Sequence, residues 1–202
     1  MSYKHYYITY KNIIEIVYKT IIELKIKQLP VSVDYITNEL WIKQIRNCDL
    51  QKPLLHPNQN GLAILSKGKF YIIYNEKDNL QERRFTLAHE IGHILLGHLL
   101  SNPTSQQEKK IREQEADIFA TLLLAPICVV QALKLQTPEE LQSVCNMPYQ
   151  YAQWHFKFIK SNLKKYYVLH TKKLTTEILK QFQRYIDNFS ITKNNTITPC
   201  LM

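Results

Sequence analysis

Thr86-Leu-Ala-His89-Glu90-Ile-Gly-His93-Ile-Leu-Leu-Gly-His98 is the stretch on which the reading of this chain turns. Two histidines four residues apart share one face of an α-helix, a turn from each other, so both imidazoles can reach a single tetrahedral ion. Glu90, one position round, points at the place of a water on that ion. In a chain with seven His the His-Glu-x-x-His spacing alone says little, and the flanking residues decide. Asn79 with Glu82 forms a capping box, apolar Phe85, Leu87, Ala88, Ile91, Ile94, Leu95 and Leu96 follow, and Gly97 stands where a helix terminates. A helix of that composition is largely buried, and a buried histidine pair is costly unless it is hydrogen-bonded or ligates a metal. The bland alternative is a pair of core histidines satisfied by backbone carbonyls.

A third ligand is expected from the next helix, which Ser105 and Glu108 can cap and Pro126 must end. Within it lies Glu113-Gln-Glu-Ala-Asp117. Glu113 and Asp117 share a face at i, i+4, and Ala116 and Ala120 are small enough to let the two helices approach closely. Glu113 can then ligate zinc while Asp117 accepts a hydrogen bond from a ligand imidazole and orients it. Glu115 is the rival ligand. It points almost oppositely, into a stripe with Ile111, Ile118, Phe119 and Leu122, and reads as a buried structural carboxylate. The arrangement with a third histidine, His-Glu-x-x-His-x-x-Gly-x-x-His, would need Gly at 96 and His at 99, and both positions are Leu. His98 falls half a turn off the ligand face and reads as a helix-end residue. Two histidines and a downstream glutamate remain, the gluzincin pattern, with Glu90 as the general base.

At this point the chain resembles the ImmA/IrrE metallopeptidases. The resemblance spans about Leu29 to Ala125. Carrying it are Leu29-Pro-Val, the strand Lys69-Phe-Tyr-Ile-Ile-Tyr-Asn75, the run from Arg83 to His98, and Glu113-x-x-Ala-Asp-x-Phe-Ala-x-x-Leu-Leu-x-Pro126. Family members often have Asn where this chain has Asp117, an exchange that keeps an acceptor behind the ligand. The resemblance implies a cytoplasmic zinc endopeptidase. Its expected substrate is a helix-turn-helix transcriptional repressor, often encoded beside it on a mobile element or stress locus.

Length and composition set the remaining bounds. A chain of 202 residues, 45% hydrophobic, can bury one good core and a small appended unit. It has no run of 18 apolar residues and no signal-peptide core near Met1, so a soluble intracellular protein without membrane contact is expected. Cys48, Cys128, Cys145 and Cys200 lack metal or redox spacing and are expected as free thiols.

An α+β zincin-like domain is expected over residues 1–130, with a helical, basic extension over 131–202. Asn12 to Lys27 reads as an amphipathic helix broken by Pro30, Val33 to Leu40 as a short helix, and Trp41 to Arg46 as a strand. Leu62 to Leu65 and Lys69 to Asn75 read as a hairpin around Ser66-Lys67-Gly68, whose edge could hold an extended substrate. Thr137-Pro-Glu-Glu140 caps another helix, and Asn146-Met-Pro148 turns into a helix from Tyr149 to Ile159, a pair similar to a helix-turn-helix. Residues 157–202 hold nine Lys and Arg against Glu177 and Asp187, a net of +7 out of +9 for the chain. Thr175 to Phe189 reads as a helix with Leu174, Ile178, Phe182, Tyr185 and Phe189 on one face, and the polar tail from Ser190 as loose. A basic extension can bind nucleic acid or an acidic partner, and contact with protein is expected over DNA. A plain solvated helix face is the bland reading.

A second donor to the developing oxyanion is usual in such sites, and Tyr149, Tyr151, His155 and His170 are the candidates. The competing reading is a regulatory sensor or binding module on the same fold, with a structural metal or a silent protease. A structural zinc site would be closed by four protein ligands, and only three good ones are offered besides Glu90.

Overall fold

A computed structural model describes residues 3–166 and 172–196. Helix α1 (Tyr3–Glu23) is followed by α2 (Val33–Glu39), β1 (Lys43–Arg46), β2 (Gly61–Ser66), β3 (Lys69–Tyr74) and α3 (Leu80–Leu95). Then come α4 (Gln106–Leu124), α5 (Ile127–Ala132), α6 (Pro138–Cys145), α7 (Tyr149–Tyr166) and α8 (Lys172–Thr196). The expected α+β class with a small sheet and a helical C-terminal part is what the chain adopts.

The sheet has three strands in the order β1-β3-β2, with β1 parallel and β2 antiparallel to the central β3. Lys67 and Gly68, at φ 48° and 72°, make a two-residue turn in which both residues are left-handed, and it fixes the register at Ser66 opposite Lys69. One edge of the sheet is therefore β2, the strand that lies against α3.

The helix starts follow their capping residues. The side-chain oxygens of Asn79, Ser105 and Thr137 accept the backbone N–H of Glu82, Glu108 and Glu140. Gly97, at φ 75°, ends α3 by turning left-handed, and its N–H donates to the Ile94 carbonyl.

Three sequence expectations are corrected. Helix α1 begins at Tyr3 and ends at Glu23, whereas Asn12 to Lys27 was the span expected; Lys25, at φ 52°, closes it well before Pro30. Helix α8 continues through Ser190 to Thr196, where a loose tail was expected, with the Lys193 ammonium 2.9 Å from Glu140 on α6. The division at 130/131 is not a gap in packing. Leu141, Cys145, Met147, Ala152, Phe156, Ile159, Ile178 and Phe182 from the expected extension join one hydrophobic cluster with Val17, Tyr18, Ile21 and the buried faces of α3 and α4. The α6–α7 pair, for which a likeness to a helix-turn-helix was expected, buries Leu141, Cys145, Ala152, Phe156 and Ile159 in the common core.

Half-buried Arg84 ties the layers together. Its guanidinium donates to the carbonyls of Val31 at 2.8 Å and Asn146 at 3.0 Å, locking α3 to the lead-in of α2 and to the α6–α7 turn. Cys48 is exposed and Cys128 and Cys145 are buried, all three as free thiols, while Cys200 lies outside the described residues. Among the described residues no helix is long and apolar enough to cross a membrane.

Candidate metal centre

Helices α3 and α4 pack face to face, and small residues set how closely. Ala116 and Ala120 are fully buried in the contact, and a Cβ on Gly92 would meet the Phe119 ring at 3.0 Å. That close approach brings Glu113 of α4 over the two histidines of α3. One ligand atom each from His89, His93 and Glu113 lies within 4.8 Å of the others. His89 Nε2 is 3.0 Å from His93 Nε2 and 3.4 Å from Glu113 Oε2, and His93 Nε2 is 3.8 Å from the same oxygen. A tetrahedral ion at zinc's usual bond lengths of about 2.0–2.2 Å separates its ligand atoms by about 3.4 Å. These three edges bracket that value, and two imidazoles with one carboxylate are donors that suit zinc.

Behind His89, Nδ1 lies 2.9 Å from Asp117 Oδ1, the pairing that the shared face of Glu113 and Asp117 predicts. Burial alone pushes the His89 imidazole down, but hydrogen bonds to Asp117 and Glu113 and the charge of Glu90 outweigh it and leave its pKa at about 9. The same contacts with His89 and His93 hold the Glu113 carboxyl well below the usual range.

Glu90 is 7% exposed and points to the sheet side of the cluster. A Cβ on Gly61 would meet Thr86 Cγ2 at 2.5 Å and Glu90 Oε1 at 2.9 Å, so β2 can rest on α3 here only because residue 61 has no side chain. Burial raises the Glu90 carboxyl above its ordinary pKa, opposed by the charges of His89 and His93 and by the Ala63 backbone N–H.

A cleft of about 430 Å³ runs over this cluster, lined by residues 58–63 of the β2 edge and its lead-in, by His89, Glu90, His93 and Glu113, and by Tyr151 on α7. The Tyr151 ring stacks on Phe85 at 3.5 Å between centroids, one turn before His89. Burial and the charges of Asp117 and Glu82 push its phenol up to about 12, so it stays protonated. The other donor candidates are elsewhere. Exposed Tyr149 donates to Glu139 at 2.9 Å, fully buried His155 donates to the Ala125 carbonyl at 2.8 Å, and His170 lies outside the described residues.

Two expectations about the surroundings change. Glu115 is half-buried rather than set in the apolar stripe, and its Oε2 lies 3.1 Å from His98 Nε2. His98 is not a bare helix-end residue, since its Nδ1 lies 2.9 Å from His93 Nδ1. Helical spacing could not find this contact, because the left-handed Gly97 turns residue 98 back over the last turn of α3. Gly61 and Gly92 were missed as well, their need arising from contacts across elements far apart in sequence.

A His-Glu-x-x-His helix carrying a glutamate partner from the following helix, under a small sheet with its edge along the cleft, defines the metallopeptidase class of site. The family model described as the IrrE N-terminal-like domain matches residues 49–163, more than half of the chain, and the chain belongs to that metallopeptidase family. The match starts later than Leu29 and reaches well beyond Ala125, taking in α6 and most of α7. No curated protein matches the chain.

Proposed function

We propose that the chain is a zinc-dependent endopeptidase whose ion is held by His89, His93 and Glu113. The observation that carries this is the meeting of those three ligand atoms within 4.8 Å beside a buried glutamate, at the floor of an open cleft. Zinc bound there supplies Lewis acidity, lowering the pKa of water towards about 7 and polarising a carbonyl oxygen. The chain's own residues do the rest. Asp117 accepts the Nδ1 proton of His89, leaving Nε2 free to ligate. Glu90 takes the proton of the attacking water at a carboxylate oxygen and hands it to the leaving amine nitrogen. Burial, which raises its pKa, favours the protonated form needed for the second transfer. Of the expected donor candidates Tyr151 is the one among the described residues that lines the cleft, and we assign it to the oxyanion and the β2 edge to pairing with an extended peptide.

The substrate we infer is a helix-turn-helix repressor, on the strength of the resemblance to ImmA/IrrE proteins, with the chain acting in the cytoplasm. A cleft open along a strand edge supports a peptide substrate of that kind over a small molecule. The test is co-incubation with a candidate repressor encoded next to this chain. Glu90→Gln should keep zinc and fold while cleavage falls by at least about 100-fold, because it removes the base and no ligand. Undiminished cleavage by that variant overturns the mechanism.

A further inference from the structure

We propose that His98 and Glu115 act as a relayed prop for His93, doing through two hydrogen bonds what Asp117 does for His89 through one, and so tune the site's affinity for its metal. The inference rests on the metal reading of the His89, His93 and Glu113 cluster and adds two positioning residues to it.

The proton positions follow from one end of the chain of contacts. A carboxylate can only accept, so Glu115 Oε2 at 3.1 Å takes the hydrogen of His98 Nε2. A neutral His98 then has a lone pair on Nδ1. That atom is 2.9 Å from His93 Nδ1, which must therefore carry the hydrogen between them. His93 is left with its free lone pair on Nε2, the nitrogen that faces His89 Nε2 and Glu113 Oε2. The wiring selects the one tautomer of His93 able to ligate, and it fixes the ring's plane.

The prop is itself held in place. The His98 side chain is 9% exposed and that of Glu115 is 22% exposed, so water competes weakly for either contact. Arg112 on α4 donates to the carbonyls of His98 at 2.8 Å and Ser101 at 2.6 Å, pinning the short turn that carries the ring. Glu113 and Glu115, two apart on one helix, thus serve opposite nitrogens of His93.

The test compares zinc affinity by chelator competition in the full-length protein. His98→Leu removes the acceptor, whereas His98→Asn keeps an oxygen near the position of Nδ1. Loss of a partner behind a ligand histidine weakens metal binding by about 10–100-fold, which is the expectation for Leu, with Asn within about threefold of wild type. The visible absorption of the cobalt-substituted protein should change with Leu and not with Asn, a response that a purely structural turn would not give. Wild-type affinity in a folded His98→Leu protein overturns the proposal. Should that variant fail to fold, the zinc-loaded wild type decides by two-bond proton–nitrogen NMR. His98 protonated on Nε2 and His93 on Nδ1 is the expected pattern, and His98 protonated on Nδ1 overturns it. Wild-type protein that takes up no zinc overturns the metal reading itself, and this inference with it.

Discussion

His155 shows how one residue's surroundings decide its chemistry. Its Nε2 donates to the Ala125 carbonyl, its Nδ1 is buried with no partner among the described residues, and burial lowers its pKa to about 4. Protonation would put a hydrogen on that partnerless nitrogen. The folded pKa lies below the unfolded value of about 6.5, so between the two the unfolded chain binds a proton that the native one refuses. The associated stability is fully present above pH 6.5 and is lost as pH falls towards 4, on the order of 3 kcal/mol over that window. His155→Gln, which keeps a donor for Ala125 and cannot titrate, should lose less stability than wild type between pH 7 and 4.5 in urea melts of metal-free protein. Equal losses would contradict this account. At this scale the proposed ligands were legible because their geometry is local: His89 and His93 share a helical face, as do Glu113 and Asp117. The supporting role of His98 was not, since it depends on a left-handed turn, and the choice among Tyr149, Tyr151 and His155 depends on which face of α7 meets α3.

Among the elements, the starts of α3, α4 and α6 were readable because each is a side chain bonding to a backbone N–H three residues on, a contact contained in the local sequence. The full extent of α8 was not, because its last turns are polar and its packing against α1 and α5 is not contained in the local sequence. Helix α8 turns its apolar face inward, with Ile178 and Phe182 fully buried, and Gln181 Nε2 donates to the carbonyls of Ile21 at 2.9 Å and Ile26 at 2.6 Å. Burying each of those two large side chains contributes about 1.5–3 kcal/mol, a large part of a typical domain's stability. Truncation after Asn162 should therefore yield insoluble or unfolded protein, read by circular dichroism. A soluble, folded truncation would contradict this packing. The outward face of the helix, with exposed Lys172, Lys173, Lys180 and Arg184, is free of that constraint. Lys180→Glu with Arg184→Glu should leave the fold and melting temperature close to wild type, making it the suitable variant for examining partner binding.

At the scale of the molecule, the site is a junction. Helix α3 supplies His89, Glu90 and His93, α4 supplies Glu113 and Asp117, β2 closes over Glu90 through Gly61, and α7 brings Tyr151. Its floor was legible in two helices close in sequence, and its walls were not, because they come from residues some 30 positions before and 60 after the histidines. The α+β class was legible in the alternation of capped helices and a turn-marked hairpin, whereas the sharing of one core by all the helices is a property of packing that the basic composition of residues 157–202 obscured. Central to the account is the claim that His89, His93 and Glu113 hold a metal. Native mass spectrometry of wild type, Glu113→Gln and Glu115→Gln tests it most directly. About one zinc per chain is predicted for wild type and for Glu115→Gln, whose amide oxygen still accepts from His98, and none for Glu113→Gln. Zinc kept by Glu113→Gln and lost by Glu115→Gln, or absent from wild type, would contradict it.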